Sequence, residues 1–125
     1  MSQSRKKILS VEDHEETFRL ISSILKSYDV IPARTKADAL RLLTSEKFDL
    51  LLLDFHLPDG TGLEVCRSIR SFDKQTPIIF VTSEEMSESW LASLEAQGLV
   101  SKGPNFNDDL RAAVDSLATP GRPRS

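Results

Sequence analysis

Leu50, Leu51, Leu52 and Leu53 are four successive leucines with no polar alternation, closed by Asp54 and followed at once by Phe55-His56-Leu57-Pro58-Asp59-Gly60-Thr61-Gly62. A half-exposed strand alternates apolar with polar residues, and a surface helix repeats every third or fourth. A short unbroken apolar run between turn formers reads instead as a strand covered on both faces. Pro58 and Gly60 stop anything regular from continuing. Asp54 therefore stands where a buried parallel strand ends, at the mouth of the core. In open parallel sheets the carboxyl ends of the strands are where ligands bind.

Three other apolar runs end in comparable chemistry. Ile8-Leu9-Ser10-Val11 leads into Glu12 and Asp13, Pro77-Ile78-Ile79-Phe80-Val81 into Thr82, and Leu99-Val100-Ser101 into Lys102. Each alone is explained as well by capping or solvation. Together, at matching ends, an acid pair, a lone acid, a hydroxyl and an ammonium form a set able to hold a divalent cation and a phosphoryl group.

Helical periodicity fills the intervals. Phe18, Ile21, Ile24, Leu25 and Tyr28 mark an amphipathic helix over 14–28, and Thr35 caps a second that runs to Glu46 with Ala39, Leu40 and Leu43 inward. Leu63, Cys66 and Ile69 define a third over 63–71, and a fourth spans 86–97 with Gly98 as its left-handed cap. Leu110, Ala113, Val114 and Leu117 mark the fifth, over 107–118. Five strands alternating with five helices require a parallel sheet with helices on both faces, because crossovers are right-handed. Pro32 places the second strand, 30–33, at an edge. Asp13 and Asp54 are expected to face each other across the crevice between neighbouring strands that send their helices to opposite faces.

With 125 residues the chain reads as one domain over 7–118, with tails at 1–6 and 119–125. The tail from Thr119 carries Pro120 and Pro123 and cannot continue a helix. A formal charge of -3 with both signs scattered leaves no footprint for nucleic acid or an anionic membrane. Cys66 is the only cysteine, so neither an internal disulfide nor a cysteine-based zinc cluster can form. The apolar stretch behind Arg5-Lys6-Lys7 is too short for a signal peptide or a span, and the expected location is the cytoplasm.

Glu12, Asp13 and Asp54 brought close together repel one another unless a proton or a hard cation neutralises them. Magnesium suits such a set, because it takes a few carboxylate oxygens and keeps its remaining positions for water and phosphate. A central carboxylate can attack phosphorus to form an acyl phosphate. Lys102 and Thr82 can then balance the charge on the transferring oxygens.

The joint pattern, Glu12-Asp13, Asp54 with Leu57-Pro58-Asp59-Gly60-Thr61-Gly62, Thr82 and Lys102, resembles the response-regulator receiver domain of two-component signalling over about residues 7 to 118. The resemblance implies a flavodoxin-like (βα)5 fold with strand order 2-1-3-4-5. It implies that Asp54 accepts phosphate from a histidine kinase or a histidine phosphotransfer protein and loses it slowly by self-catalysed hydrolysis. Glu12, Asp13, Asp54 and the backbone carbonyl of His56 would hold magnesium. Thr82 and Lys102 would contact the phosphoryl oxygens. The readout would be a changed surface around the fourth helix, fifth strand and fifth helix, offered to a downstream protein, to an output domain or to a second copy in a homodimer.

Two positions depart from that pattern. Leu99 stands where the family has an aromatic residue three positions before the lysine, and Gly103 separates Lys102 from Pro104. Both leave room for a receiver that docks partners without phosphate. A small phosphatase with an aspartyl nucleophile is the other alternative, although such enzymes place a second acid where this chain has His56. The His56 ring reads as an exposed group tuning water access, His14 as a first-turn helix residue rather than a ligand, and Ser83 as a small neighbour of Asp54. Glu84 is either a shield for the phosphate or a solvated acid, and Trp90 either a partly buried residue or a partner contact.

Overall fold

The computed structural model describes residues 5–83 and 89–118, the side chains of Ser89 and Trp90 excepted. In chain order the elements are β1 (Lys7–Val11), α1 (Glu15–Ile24), β2 (Asp29–Ala33), α2 (Lys36–Ser45), β3 (Leu50–Asp54), β4 (His56–Leu57), β5 (Gly60–Thr61), α3 (Gly62–Arg70), β6 (Ile78–Thr82), α4 (Ser89–Ser93), β7 (Gly98–Ser101) and α5 (Phe106–Ala118). Five strands form one parallel sheet in the order β2-β1-β3-β6-β7. Setting aside the small β4–β5 ribbon, this is the expected 2-1-3-4-5 order. β2, which carries Pro32, lies at the edge and pairs with β1 alone.

The leucine run explains the layering. All five residues of β3 are buried. Leu50 and Leu52 pack with Ile21, Ile24, Leu110 and Val114 of α1 and α5. Leu51 and Leu53 point the other way, among Ala39, Val65, Cys66, Ile69 and Leu91 of α2, α3 and α4. Alternation is still present in this strand, but both of its faces are apolar surroundings, so both demand leucine. Full burial of one such side chain contributes about 1.5–3 kcal/mol. β1 and β3 are neighbours, yet α1 after β1 covers one face and α3 after β3 covers the other. The crevice at their carboxyl ends is thereby opened.

Several local features differ from the sequence reading. α1 ends at Ile24 although its apolar spacing continues to Tyr28, because a tighter turn closes through Tyr28 N–H to the Leu25 carbonyl at 2.9 Å. Arg5 donates to the carbonyls of Lys26, Ser27 and Tyr28 and so satisfies groups that a longer helix would have paired internally. The Pro58-Asp59 turn does not end all regularity, since His56 pairs with Thr61 and Leu57 with Gly60 in an antiparallel ribbon.

Gly98 is not a helix cap. It opens β7 opposite Ile79, and a Cβ there would approach Ile79 Cγ1 to 3.4 Å. The left-handed residue is Glu95, with φ 56°, and its carbonyl accepts from Arg70 Nε at 3.0 Å and Nη2 at 2.7 Å. The proposed start of the fourth helix, Glu84 and the tail from Thr119 lie outside the described residues, as does the Trp90 side chain.

Candidate functional site

The site is assembled from four strand ends. Glu12 continues the β1 ladder one residue past the strand, its N–H donating to the Ala33 carbonyl at 2.9 Å, and its carboxylate is 2% exposed. That burial is tolerated because the carboxylate is held. Its Oε1 accepts from Lys102 Nζ at 3.0 Å and its Oε2 from the His14 backbone N–H at 3.1 Å. Asp54 ends β3, paired in register with Val81, and Thr82 follows as the buried last residue of β6. Lys102 comes directly after β7, with its N–H donated to the Thr82 carbonyl at 2.8 Å.

The loop after Asp54 is held at both sides. Gly62 N–H donates to the Phe55 carbonyl at 2.9 Å, and a Cβ on Gly62 would collide with the Asp54 carbonyl oxygen. Only glycine lets α3 start so close behind the strand end. Thr61 and Glu64 form a reciprocal capping box at the α3 start. On the other side, Asp59 accepts from the backbone N–H groups of Lys36 at 2.7 Å and Ala37 at 3.0 Å, at the start of α2. The hydrogen bond from Lys36 leads the effects that hold the Asp59 carboxyl below its ordinary range. The motif thus works partly as a clamp, a role its sequence did not announce.

Asp13, His14, Asp54, His56, Leu57, Pro58, Ser83 and Lys102 line a pocket of about 250 Å³ at this end of the sheet. Lys102 Nζ lies 3.3 Å from Asp54 Oδ2, so the glycine inserted before Pro104 leaves the lysine's reach intact. The balance of charge is local. Burial, followed by the negative charge of Glu12, pushes the Asp54 carboxyl up to about 6 against the pull of Lys102. Burial alone would lower the Lys102 ammonium, but the hydrogen bond to Glu12 and the charges of Asp54 and Glu12 raise it above its ordinary value. Among the described residues one cation thus stands at a cluster of three carboxylates, and a further positive charge fits.

One donor atom from each of Glu12, Asp13, His14 and Asp54 lies within 4.8 Å of the others. Asp13 Oδ1 is buried and takes no hydrogen bond among the described residues. An orphaned carboxylate oxygen inside such a cluster suits a divalent cation held by oxygen ligands. His14 is the residue the sequence reading set aside: its Nδ1 lies 3.3 Å from both Glu12 Oε2 and Asp13 Oδ1. Its place directly after the acid pair was the available signal. His56 is exposed at the rim, with its backbone N–H at a long 3.4 Å from Asp54 Oδ1.

A larger hollow of about 410 Å³ lies at the opposite, amino end of β3 and β6, bounded by Glu46, Phe48, Asp49, Phe72 and Asp73. Its acids are already committed. Glu46 pairs with Lys7 Nζ at 2.6 Å, Asp49 accepts from the Lys7 N–H at 2.7 Å, and Asp73 accepts from Gln75 and Thr76. Size does not identify the site; convergent groups with unmet charge do.

Comparison with known proteins agrees with this geometry. Residues 8–115 match the family model described as the response regulator receiver domain. The alkaline phosphatase synthesis transcriptional regulatory protein PhoP of Bacillus subtilis is 37% identical over 92 residues, covering 72% of this chain and 38% of that protein. The sensor histidine kinase AruS of Pseudomonas aeruginosa is 33% identical over 127 residues, covering 94% of this chain and 12% of that protein. The chain therefore spans well under half of either relative. Among solved structures, the response regulator TrrA of Thermotoga maritima, in complex with Mg2+ and BeF, superposes with a TM-score of 0.81 at 34% identity, covering 90% of this chain and 98% of that one.

Proposed function

Because the chain belongs to the response regulator receiver domain family, we propose that it takes a phosphoryl group from a phosphohistidine donor onto Asp54 and passes the change on as an altered protein-binding surface. The observation that carries this reading is the placement of Asp54: a strand-end carboxylate opening on the pocket, with Lys102 Nζ 3.3 Å away and the Glu12 and Asp13 carboxylates beside it. An Asp54 oxygen attacks phosphorus, the P–N bond to the donor imidazole breaks, and the leaving imidazole keeps the bond's electrons and takes a proton. Asp54 then carries an acyl phosphate. Attack by water on phosphorus later restores the carboxylate and releases inorganic phosphate.

Glu12, Asp13, Asp54 and the carbonyl of His56 are the groups that would hold magnesium, which when bound neutralises charge on the acids and the phosphoryl oxygens. The chain's own residues do the rest. The Lys102 ammonium moves from balancing Glu12 and Asp54 to balancing the added phosphoryl charge. Thr82 supplies a hydroxyl one residue beyond the register partner of Asp54. The exposed His56 and Ser83 bound the route by which water reaches the acyl phosphate.

Leu99 favours a different readout from that of a family member with an aromatic residue there. Leu99 is partly buried against the α2–α3–α4 side of the core and pairs in register with Phe80. It has no hydroxyl or ring to turn between buried and exposed positions. The test of the proposal is phosphotransfer: incubation with an autophosphorylated histidine kinase should move label to the chain, as a band retarded on a phosphate-affinity gel. Alkali lability, expected of an acyl phosphate, and loss of the band in Asp54→Asn identify the acceptor. A band that survives Asp54→Asn rejects the assignment.

A further inference from the structure

His14 Nδ1 stands 3.3 Å from one carboxylate oxygen of Glu12 and 3.3 Å from the orphaned Oδ1 of Asp13. We infer that His14 supplies a nitrogen ligand to the cation site and makes it select a first-row transition cation, of the cobalt, nickel and zinc kind, over magnesium. The inference rests on the reading of the acidic cluster as a cation site made above.

The backbone sets the imidazole in place. His14 is the N-cap of α1 with φ −90° and ψ 118°, and its side chain makes no capping hydrogen bond. Its N–H instead donates to Glu12 Oε2, which fixes the residue against the carboxylate beside which its ring also lies. The His14 side chain is 72% exposed, so only the Nδ1 edge faces the acids. Two ligands held about 2.1 Å from one ion lie about 3 Å apart when adjacent and about 4.2 Å apart when opposite. Separations of 3.3 Å, within a cluster whose donor atoms all lie within 4.8 Å, need only small adjustments to share one ion.

The selectivity follows from donor type. Magnesium gains little from an imidazole, because it favours oxygen and gives up water reluctantly, whereas cobalt, nickel and zinc bind imidazole well. The competing account of the same contacts is an imidazolium acting as a counterion to Glu12 and Asp13. That arrangement would repel any cation.

Cobalt chloride is the probe, read by its visible d–d absorption, with magnesium chloride measured by displacement of cobalt. The parent chain is compared with His14→Asn, which keeps a good N-cap residue. The expected result is a Co2+-over-Mg2+ affinity ratio about tenfold lower in His14→Asn than in the parent, with magnesium affinity changed less than about twofold. The cobalt band should also shift to lower energy in His14→Asn as nitrogen leaves the coordination sphere. An unchanged ratio overturns the inference while leaving magnesium binding standing. Tighter binding of both cations in His14→Asn identifies the counterion and overturns it too. A parent that binds neither cation overturns both this inference and the metal reading beneath it.

Discussion

Lys102 Nζ bridges Glu12 Oε1 at 3.0 Å and Asp54 Oδ2 at 3.3 Å, joining the ends of β1, β3 and β7 through one ammonium. Among the described residues this is the cation set against the acid cluster at this end of the sheet, and it is 21% exposed. It holds the position that added phosphoryl charge would also need.

Replacing Lys102 by alanine is therefore expected to lower metal-free stability at neutral pH by roughly 2 kcal/mol, since Glu12 stays buried with its counterion gone. The same variant should keep cation binding at least as strong as the parent's and take up phosphate poorly. Urea denaturation in chelator, a cation titration and a phosphorylation time course check the three parts. A variant that labels and unfolds like the parent would remove Lys102 from the site.

The pH dependence has a definite sign. Asp54 has its folded pKa raised to about 6 from 3.8, so the folded protein holds this proton more tightly than the unfolded chain does. The stability so contributed is complete below about pH 4 and is lost as pH rises through about 6. In chelator at pH 8, Asp54→Asn should be more stable than the parent, on the order of 2 kcal/mol, with the gap closing toward pH 4. Adding a divalent cation should restore the parent selectively. Thermal melts across that range decide it, and a parent more stable than Asp54→Asn in chelator at pH 8 contradicts the charge balance described here.

Arg70 marks a structural prediction remote from the chemistry. It is 6% exposed, and its guanidinium donates to the carbonyls of Asp73 at 2.9 Å, Thr76 at 2.8 Å and Glu95 at 2.7 Å. It thus ties the end of α3 to the left-handed turn at Glu95 and to the approach to β6. Arg70→Met should destabilise by about 3 kcal/mol, because three partly buried carbonyls lose their donor at once. Phosphorylation at temperatures where the variant is folded should be retained. A loss of labelling without a loss of stability would show that the clamp serves the site directly.

The contrast between Leu50–Leu53 and Arg70 shows what the sequence could disclose. Where side-chain type is dictated by burial on both faces, the pattern is visible without coordinates, and so are the strand ends that follow from it. Glu12, Asp13, Asp54, Thr82 and Lys102 stand out as candidates in the sequence because each follows or closes an apolar run. Arg70 was not, since an arginine in the last turn of a helix looks like a solvated one until the carbonyls around it are known. Gly98 misled for a related reason. A glycine after a helical stretch can serve a left-handed cap or a close strand contact, and tertiary packing against Ile79 decided for the latter. His14 was legible as a helix start but not as a neighbour of Glu12 and Asp13 through its ring, because its Nδ1 position depends on how the chain turns after β1.

The readout prediction follows from Leu99. With a leucine packed in the core opposite Phe80, phosphorylation should change amide exchange at Thr82 and Ser83 more than at Leu99 and Val100. Thr82→Ala should flatten that difference. Exchange changes centred on β7, with residues 82–83 unaffected, would place the response on another route.

Cation-dependent phosphorylation of Asp54 is tested most directly by intact-mass spectrometry after exposure to acetyl phosphate. The parent should gain one phosphoryl group when a divalent cation is present and none in excess chelator, and Asp54→Asn should gain none in either condition. Equal labelling of Asp54→Asn, or of the parent in excess chelator, would contradict it.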